Sequence, residues 1–217
     1  MGPIDLANLR AAVEERLAGA PSGAALPDTT RVLVRYALCA SVLVLDVEAA
    51  EQHAAEALEL GITAGQLHEV LALVSGLGVH SLMEGSRSLA ALVERRGGSV
   101  PEVDETRSAL RERLLGSAPF WAVFEAHVPG FLDALLRLSP DAFQGFVDYG
   151  AIPARTRLVD PLVKELVSVA VDAMPTHRYL PGLLLHVDSA LRLGAGRTEV
   201  LEVLDLAAQA PAAPGVR

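Results

Sequence analysis

The sequence predicts an all-α protein, and two observations support this. Apolar residues recur at spacings of three and four along nearly the whole chain, and no convincing run alternates apolar and polar residues as a half-buried strand does. Ala and Leu, which favour helix over strand, are abundant. The chain has 217 residues, 51% hydrophobic and 21% charged, so it can bury one large core or two small ones, and disorder is not expected as its main state.

Capping and stop signals divide the first half of the chain into five predicted helices. Asp46 has the position of an N-cap, Gly61 stops the helix that follows, and Thr63 to Gln66 have the form of a capping box. The predicted helices are about 5–18, one that starts at Pro27-Asp28, one from Asp46 to Leu60, one that starts at Thr63, and one that ends near Arg96.

The composition changes between Val100 and Tyr149. All five Phe, the only Trp and one of the three Tyr lie between Phe120 and Tyr149. So much ring area in one segment indicates a core or an oligomer interface, with the wall of a ligand pocket as the alternative. Pro129 and Pro140 predict that the segment is broken into short helices.

Three more helices are predicted after this segment. Asp160-Pro161 has the form of an N-cap followed by proline in the first helical position, which starts a helix that runs to about Ala173. Helices over about 179–193 and 197–208 follow, and the last residues are expected to fray.

An internal repeat relates the two halves. An offset of 133 places His53 on His186 and makes nine of 21 aligned positions identical, including a Gly stop and a Glu in the following helix. We therefore predict four segments: an N-terminal helix (1–24), a first helical repeat that is degenerate (25–97), aromatic-rich linking helices (98–149) and a second repeat with the probable site (150–217).

The pattern HxxxALxxGxTxxxxxEVL, preceded by a helix of the form LVDPLVKELVSVAV, resembles the carboxymuconolactone decarboxylase family, which also contains the alkylhydroperoxidase D proteins. The resemblance covers roughly residues 27–97 and 150–208 and is clearest in the second repeat. It implies an all-α fold of two related antiparallel helical repeats. It also implies a symmetric homo-oligomer: a trimer, a hexamer or a dimer.

The sequence departs from the peroxidase members of this family, which carry a CxxC before the helix His. Neither MPTHRYLPGLLLH nor VLDVEAAEQH contains a Cys, and Cys39 is the only Cys of the chain. A thiol peroxidase needs one thiolate to be oxidised and a second thiol to resolve it. Thiol peroxidase activity is therefore excluded, and the resemblance points to the decarboxylase branch.

The resemblance implies a catalytic group made of His186, Glu165 and His177. His186 lies on a mostly apolar helix face, where an imidazole can transfer protons near neutral pH; the alternative is a core histidine bonded to a backbone carbonyl. Glu165 shares a helix face with Ser168 and Asp172, which is equally the pattern of a solvated stripe. For His177 the alternative is an exposed loop residue.

Candidate substrate-binding residues are Arg178, Arg157 and His80. An arginine can hold a substrate carboxylate, and Arg155 is a further candidate for this role. His80 lies in a small-residue stretch, and we interpret it first as a packing residue and second as a lining of the site. The first repeat has no acid where Glu165 stands in the second and offers two arginines instead, Arg31 and Arg35.

Charge and motifs exclude other classes of function. The net charge of -9 disfavours nucleic acid as a partner, no stretch is long enough to span a membrane, and no signal peptide is recognised, so we expect a cytoplasmic protein. No HxxxH, HExxH, glycine-rich phosphate loop or GxSxG is present, so no metal and no cofactor are expected. The prediction is a cofactor-independent lyase that acts on a small carboxylated lactone or β-keto acid. The competing class is a non-catalytic helical binding or assembly protein.

Overall fold

The computed structural model describes residues 4–214 and confirms the all-α fold, since these residues form α-helices and one short 3-10 turn but no β-strand. No helix in this range combines the length and the apolar character needed to cross a membrane. The helices are α1 (Leu6–Arg16), α2 (Asp28–Ala40), α3 (Val47–Glu59), α4 (Ala64–Ser75), α5 (Val79–Arg95), α6 (Glu105–Leu115), α7 (Pro119–His127), α8 (Phe131–Leu138), α9 (Pro140–Gly150), α10 (Ile152–Thr156), α11 (Pro161–Ala173), α12 (Leu180–Arg192) and α13 (Arg197–Ala208).

The chain divides into two compact units. The first unit combines the residues up to Leu77 with those from Pro153 onward, and the second comprises Gly78–Ile152. Helix α5, which the sequence groups with the first repeat, lies in the second unit and packs there against α8. The segment boundaries predicted from the repeat stay a prediction, because they describe sequence similarity rather than packing.

Two sets of three helices in the first unit have matching bounds. Each of α2, α3 and α4 begins and ends 133 residues before α11, α12 and α13, respectively. The packing is matched as well: α2 contacts α3 and α4 as α11 contacts α12 and α13, while α4 packs on α11 as α13 packs on α2. We call α2–α4 the first repeat helices and α11–α13 the second repeat helices.

The centre of this unit is the contact between α2 and α11. Every residue from Leu166 to Ala173 of α11 is buried, as are most residues of α2 after Val32. A helix that is buried on nearly all sides belongs in the middle of a core, whereas the other repeat helices bury one face only. The central pair thus positions the outer helices, including α12, which carries His186.

Two ion pairs join the repeats at matched positions. Arg31 Nη2 of α2 lies 2.8 Å from Glu202 Oε2 of α13. Lys164 of α11, 133 residues after Arg31, pairs with Glu69 of α4. Glu69 Oε2 also accepts a hydrogen bond from the backbone N–H of Leu158 at 2.7 Å. Because each glutamate reaches the opposite repeat, these contacts hold the two sets of helices together.

Local signals predicted the helix starts correctly. Asp46 Oδ1 accepts from the N–H of Ala49 at 3.0 Å, and Asp160 Oδ1 accepts from that of Leu162 at 2.8 Å. Thr63 and Gln66 form the predicted capping box. These side chains satisfy amide groups that have no partner within the helix.

The second unit contains the aromatic segment as short helices. Phe131 and Phe143 are fully buried, and the Phe131 ring meets the Phe146 ring edge to face with centroids 5.1 Å apart. The expectation of a core is therefore correct for these rings, although Phe120 and Tyr149 stay exposed. Helix α6 lies in the segment for which linking helices are predicted, but its bounds could not be predicted, because its largely polar sequence gives little apolar periodicity.

Candidate active site

The imidazole of His186 and the carboxylate of Glu165 form a hydrogen bond between α12 and α11. His186 Nδ1 lies 2.7 Å from Glu165 Oε2. The two side chains keep 26% and 25% of their surface accessible, so the pair is partly buried but still reached by solvent. The partner of Nδ1 is thus a carboxylate, not the backbone carbonyl of the alternative interpretation. A carboxylate at Nδ1 favours a proton on that nitrogen and directs Nε2 away from the pair.

Opposing effects act on the pKa of His186. Burial lowers the pKa of His186, while the hydrogen bond that its ring donates to Glu165 and the negative charges of Glu165 and Asp172 raise this pKa, and the net result is a raised pKa. The imidazolium form therefore persists to higher pH than in a free histidine. A protonated imidazole near neutral pH can act as a general acid.

The interpretation of Glu165, Ser168 and Asp172 as a solvated stripe is wrong. Ser168 and Asp172 are buried, Asp172 with only 1% of its surface exposed. The face they share is covered because α11 packs against several helices of the first unit. Burial raises the pKa of Asp172 to about 7, and the charge of His186 partly opposes this increase.

His177 lies in the loop between α11 and α12, beside Asp172. Its Nε2 is 3.8 Å from Asp172 Oδ1, and its ring stacks on Tyr179 with a centroid distance of 5.7 Å. Burial lowers the pKa of His177, so the neutral ring dominates at pH 7. The loop therefore brings a second imidazole to the end of the helix pair that carries His186, instead of exposing it to solvent.

The predicted substrate-binding residues differ in their local surroundings. Arg178, which has a left-handed backbone (φ 50°), donates from Nη1 to the backbone carbonyl of Ile4 at 3.0 Å. Arg157 is exposed in the loop before α11. His80 lies near the start of α5 in the second unit. Their roles toward a substrate stay predictions.

The first repeat lacks the groups that surround His186. His53, the matching histidine, contacts Glu56 of its own helix at 3.3 Å. At the positions that match Glu165, Asp172 and His177, the chain has the buried apolar or weakly polar residues Val32, Cys39 and Val44. The groups around His186 therefore have no counterpart in the first repeat, and its description as degenerate stays a prediction.

A cavity of about 390 Å³ lies between α2 and α3 in the first repeat. Its wall combines two arginines with three acids and two apolar residues: Asp28, Arg31, Val32, Arg35, Glu56, Glu59 and Leu60. His53 is not among these residues, so the cavity has no imidazole for proton transfer.

Cys39 is buried in α2. Burial, and to a smaller extent the charge of Asp46, raises the pKa of its thiol. A reactive cysteine requires the opposite shift, since the thiolate is the nucleophile. The environment of Cys39 therefore does not favour a reactive thiolate.

Asp172 was predicted only as part of a helix face with Glu165 and Ser168, and not as a neighbour of the histidines. The available signal was a carboxylate within the apolar run of α11, but this signal does not show which neighbour faces it. The structure places His177 Nε2 3.8 Å from Asp172 Oδ1, and the charge of Asp172 raises the pKa of His186.

The geometry defines an all-α protein with a carboxylate–imidazole pair between two antiparallel helices. No family model and no curated protein matches the sequence. Among solved structures, the chain is similar to a "putative gamma-carboxymuconolactone decarboxylase subunit" from Burkholderia xenovorans LB400, with 34% identity and a TM-score of 0.71. The match covers 91% of this chain and 75% of the other. The chain belongs to the carboxymuconolactone decarboxylase family.

Proposed function

We propose that the protein is a cofactor-independent lyase that decarboxylates a small carboxylated lactone or β-keto acid, with His186 as its acid/base. The observation that carries this proposal is the 2.7 Å contact between His186 and Glu165, with both side chains partly accessible. The name of the similar Burkholderia protein supports the same class of reaction.

The reaction needs one proton donor. The bond between the substrate carbon and its carboxylate breaks, CO2 leaves, and the electron pair moves into the conjugated carbonyl of the substrate to form an enolate. His186, held as imidazolium by Glu165, donates the Nε2 proton to the enolate. Solvent then returns the proton to His186, so the substrate exchanges CO2 for hydrogen and the enzyme is regenerated.

Glu165 acts through His186 as a positioning residue. Its carboxylate fixes the imidazole on α12 and stabilises the positive charge that the ring carries before transfer. His177, beside Asp172, assists by placing a neutral ring near the same helix pair. The role of binding the substrate carboxylate belongs to Arg157 or Arg178, since a guanidinium can bind both oxygens.

The decisive experiment is the release of CO2 from carboxymuconolactone by the purified protein. We expect His186→Ala to lower kcat by about 10²-fold or more, while the matched variant His53→Ala keeps the turnover of the native protein. Arg157→Ala and Arg178→Ala separate the two candidate arginines, because loss of the one that binds substrate raises KM.

Two results would contradict this proposal. Turnover by His186→Ala at the rate of the native protein removes His186 from the reaction. The absence of turnover in both proteins favours the non-catalytic class.

Asp172 and His177 are also residue types that bind divalent metals, so dialysis against EDTA tests the cofactor-independent part of the proposal. Activity that EDTA abolishes and added Zn²⁺ restores would refute that part.

We also propose that the chain forms a symmetric homo-oligomer. Large apolar side chains are exposed around the loop between α2 and α3, with Val42 63% and Val47 62% accessible. Such a patch is typical of a contact between chains, and closed symmetric assemblies are the commonest outcome. Light scattering should give the mass of a dimer, trimer or hexamer, and a monomer in the native protein would contradict the proposal.

A further inference from the structure

We propose that Asp172 is a positioning residue of the His186 site. We further propose that position 182 is a glycine because the Asp172 carboxylate occupies the space that a larger side chain would need. This inference rests on the proposed function for its kinetic consequence but not for its structural one. Asp172 lies near the end of α11, buried, with His177 on one side and the negative charge it can carry acting on His186.

The Asp172 carboxylate and helix α12 approach each other closely at Gly182. A Cβ atom built on Gly182 would lie 2.3 Å from Asp172 Oδ2 and 2.9 Å from Tyr179 Cδ1. Real Cβ atoms do not approach other atoms this closely, so any larger residue at position 182 displaces the carboxylate. Gly182 lies in the first turn of α12, one turn before His186, and therefore shares a helix face with it.

The first repeat differs from the second at both of these positions. The positions that match Asp172 and Gly182 are Cys39 and Ala49. The carboxylate and the glycine thus occur together in the repeat that has the Glu165–His186 pair. In the other repeat both are replaced. A glycine in the first turns of a helix lowers helix stability, so its presence here is explained by the space that Asp172 needs.

Several groups of the first unit lie beside Asp172 or act on its carboxylate. His177 Nε2 lies 3.8 Å from Oδ1, and the N–H of Tyr179 donates to the backbone carbonyl of Asp172 at 2.9 Å. The charges of Asp172 and His186 also act on each other. A buried carboxylate is costly unless it serves neighbouring cations or donors. Here its negative charge adds to that of Glu165 in stabilising the imidazolium of His186, and its Oδ1 faces the Nε2 of His177.

A double-mutant cycle tests the steric part. We expect Gly182→Ala to lower the thermal midpoint by roughly 5 °C in the native background and by roughly 2 °C when Asp172 is also changed to Ala, because the close contact with Tyr179 stays in both backgrounds. Equal losses in the two backgrounds would overturn the assignment of Gly182. This cycle uses no substrate, so it is independent of whether the protein is a lyase.

Ring ¹⁵N NMR at pH 7.5 tests the positioning part. Asp172→Asn keeps the shape of the side chain and should reduce the protonated fraction of His186, whereas Cys39→Ser, the change at the matched position, should leave it unchanged. If the enzyme reaction is established, Asp172→Asn should also lower kcat about tenfold with KM unchanged. An unchanged His186 spectrum in Asp172→Asn would refute the inference even if His186 proves to be catalytic.

Discussion

Replacing Lys164 by Met should destabilise the first unit far more than replacing Arg31 by Met, although the two cations occupy matched positions. Glu69, the partner of Lys164, has only 2% of its side chain exposed, whereas Glu202, the partner of Arg31, has 26%. Removing one partner of a buried ion pair leaves an uncompensated charge and costs about 3–5 kcal/mol. A pair that water still reaches contributes about 0–1 kcal/mol.

Urea denaturation followed by far-UV circular dichroism measures this difference. Circular dichroism is the suitable signal because the only Trp, Trp121, lies in the second unit and reports on that unit. We expect a loss of about 3–5 kcal/mol for Lys164→Met and about 1 kcal/mol or less for Arg31→Met, at similar m-values. Equal losses would show that the burial of Glu69 does not decide the strength of its pair.

Acid should reduce the effect of the Lys164 substitution. Burial raises the pKa of Glu69, but Lys164 and the N–H of Leu158 together lower this pKa by more. The net pKa of Glu69 is therefore below its usual value. A carboxylate with a lowered pKa stabilises the fold above its unfolded pKa, about 4.3, and this contribution is lost as pH falls through the folded value. The difference between native protein and Lys164→Met should therefore shrink below about pH 4, and a difference that grows there would contradict the assignment.

Three further predictions concern the site and one helix start. Glu165→Gln should lower the pKa of His186 and so move the midpoint of the pH profile of kcat to lower pH, with kcat itself down roughly 10- to 100-fold; an unmoved midpoint would refute the pairing. Asp172→Asn should gain stability relative to the native protein as pH rises from 5 to 8 in thermal melts, because the native carboxyl, with its pKa raised to about 7, becomes a buried charge in that interval; a parallel pH dependence would contradict this. Thr63→Ala should cost about 1 kcal/mol in urea denaturation by removing the capping box with Gln66, and no measurable loss would show that solvent replaces the cap.

The helix boundaries could be predicted from the sequence because their causes are local. Asp160-Pro161 starts α11 and Thr63 starts α4 through contacts that span three residues or fewer. The Gly stops follow equally local rules, and Gly61 and Gly194 have the left-handed backbone (φ 84° and 101°) that ends a helix without strain. The pair of His186 and Glu165 was implied by the family resemblance, since neither residue shows its partner in the sequence alone.

The features of the fold and the candidate site that could not be predicted depend on contacts between residues that are distant in the sequence. The periodicity of α11 gives Asp172 a helix face, but only the packing of α12 shows that this face is buried and that Gly182 lies against it. The repeat alignment shows Glu69 and Glu202 as identical residues, but not that each reaches a cation of the opposite repeat. Such pairings arise from tertiary structure, which no local pattern encodes.

Because both matched sets of helices belong to one chain, a residue in one set can be substituted without changing the matched residue in the other set. In a symmetric dimer of identical short chains, any codon change alters both subunits, so a costly charge in one pocket must be tolerated in its twin. Here Val32 and Glu165 are encoded separately, as are Cys39 and Asp172. The first repeat helices can therefore keep tightly packed apolar side chains and contribute rigidity. The second repeat helices can carry buried ionisable groups, which lower stability.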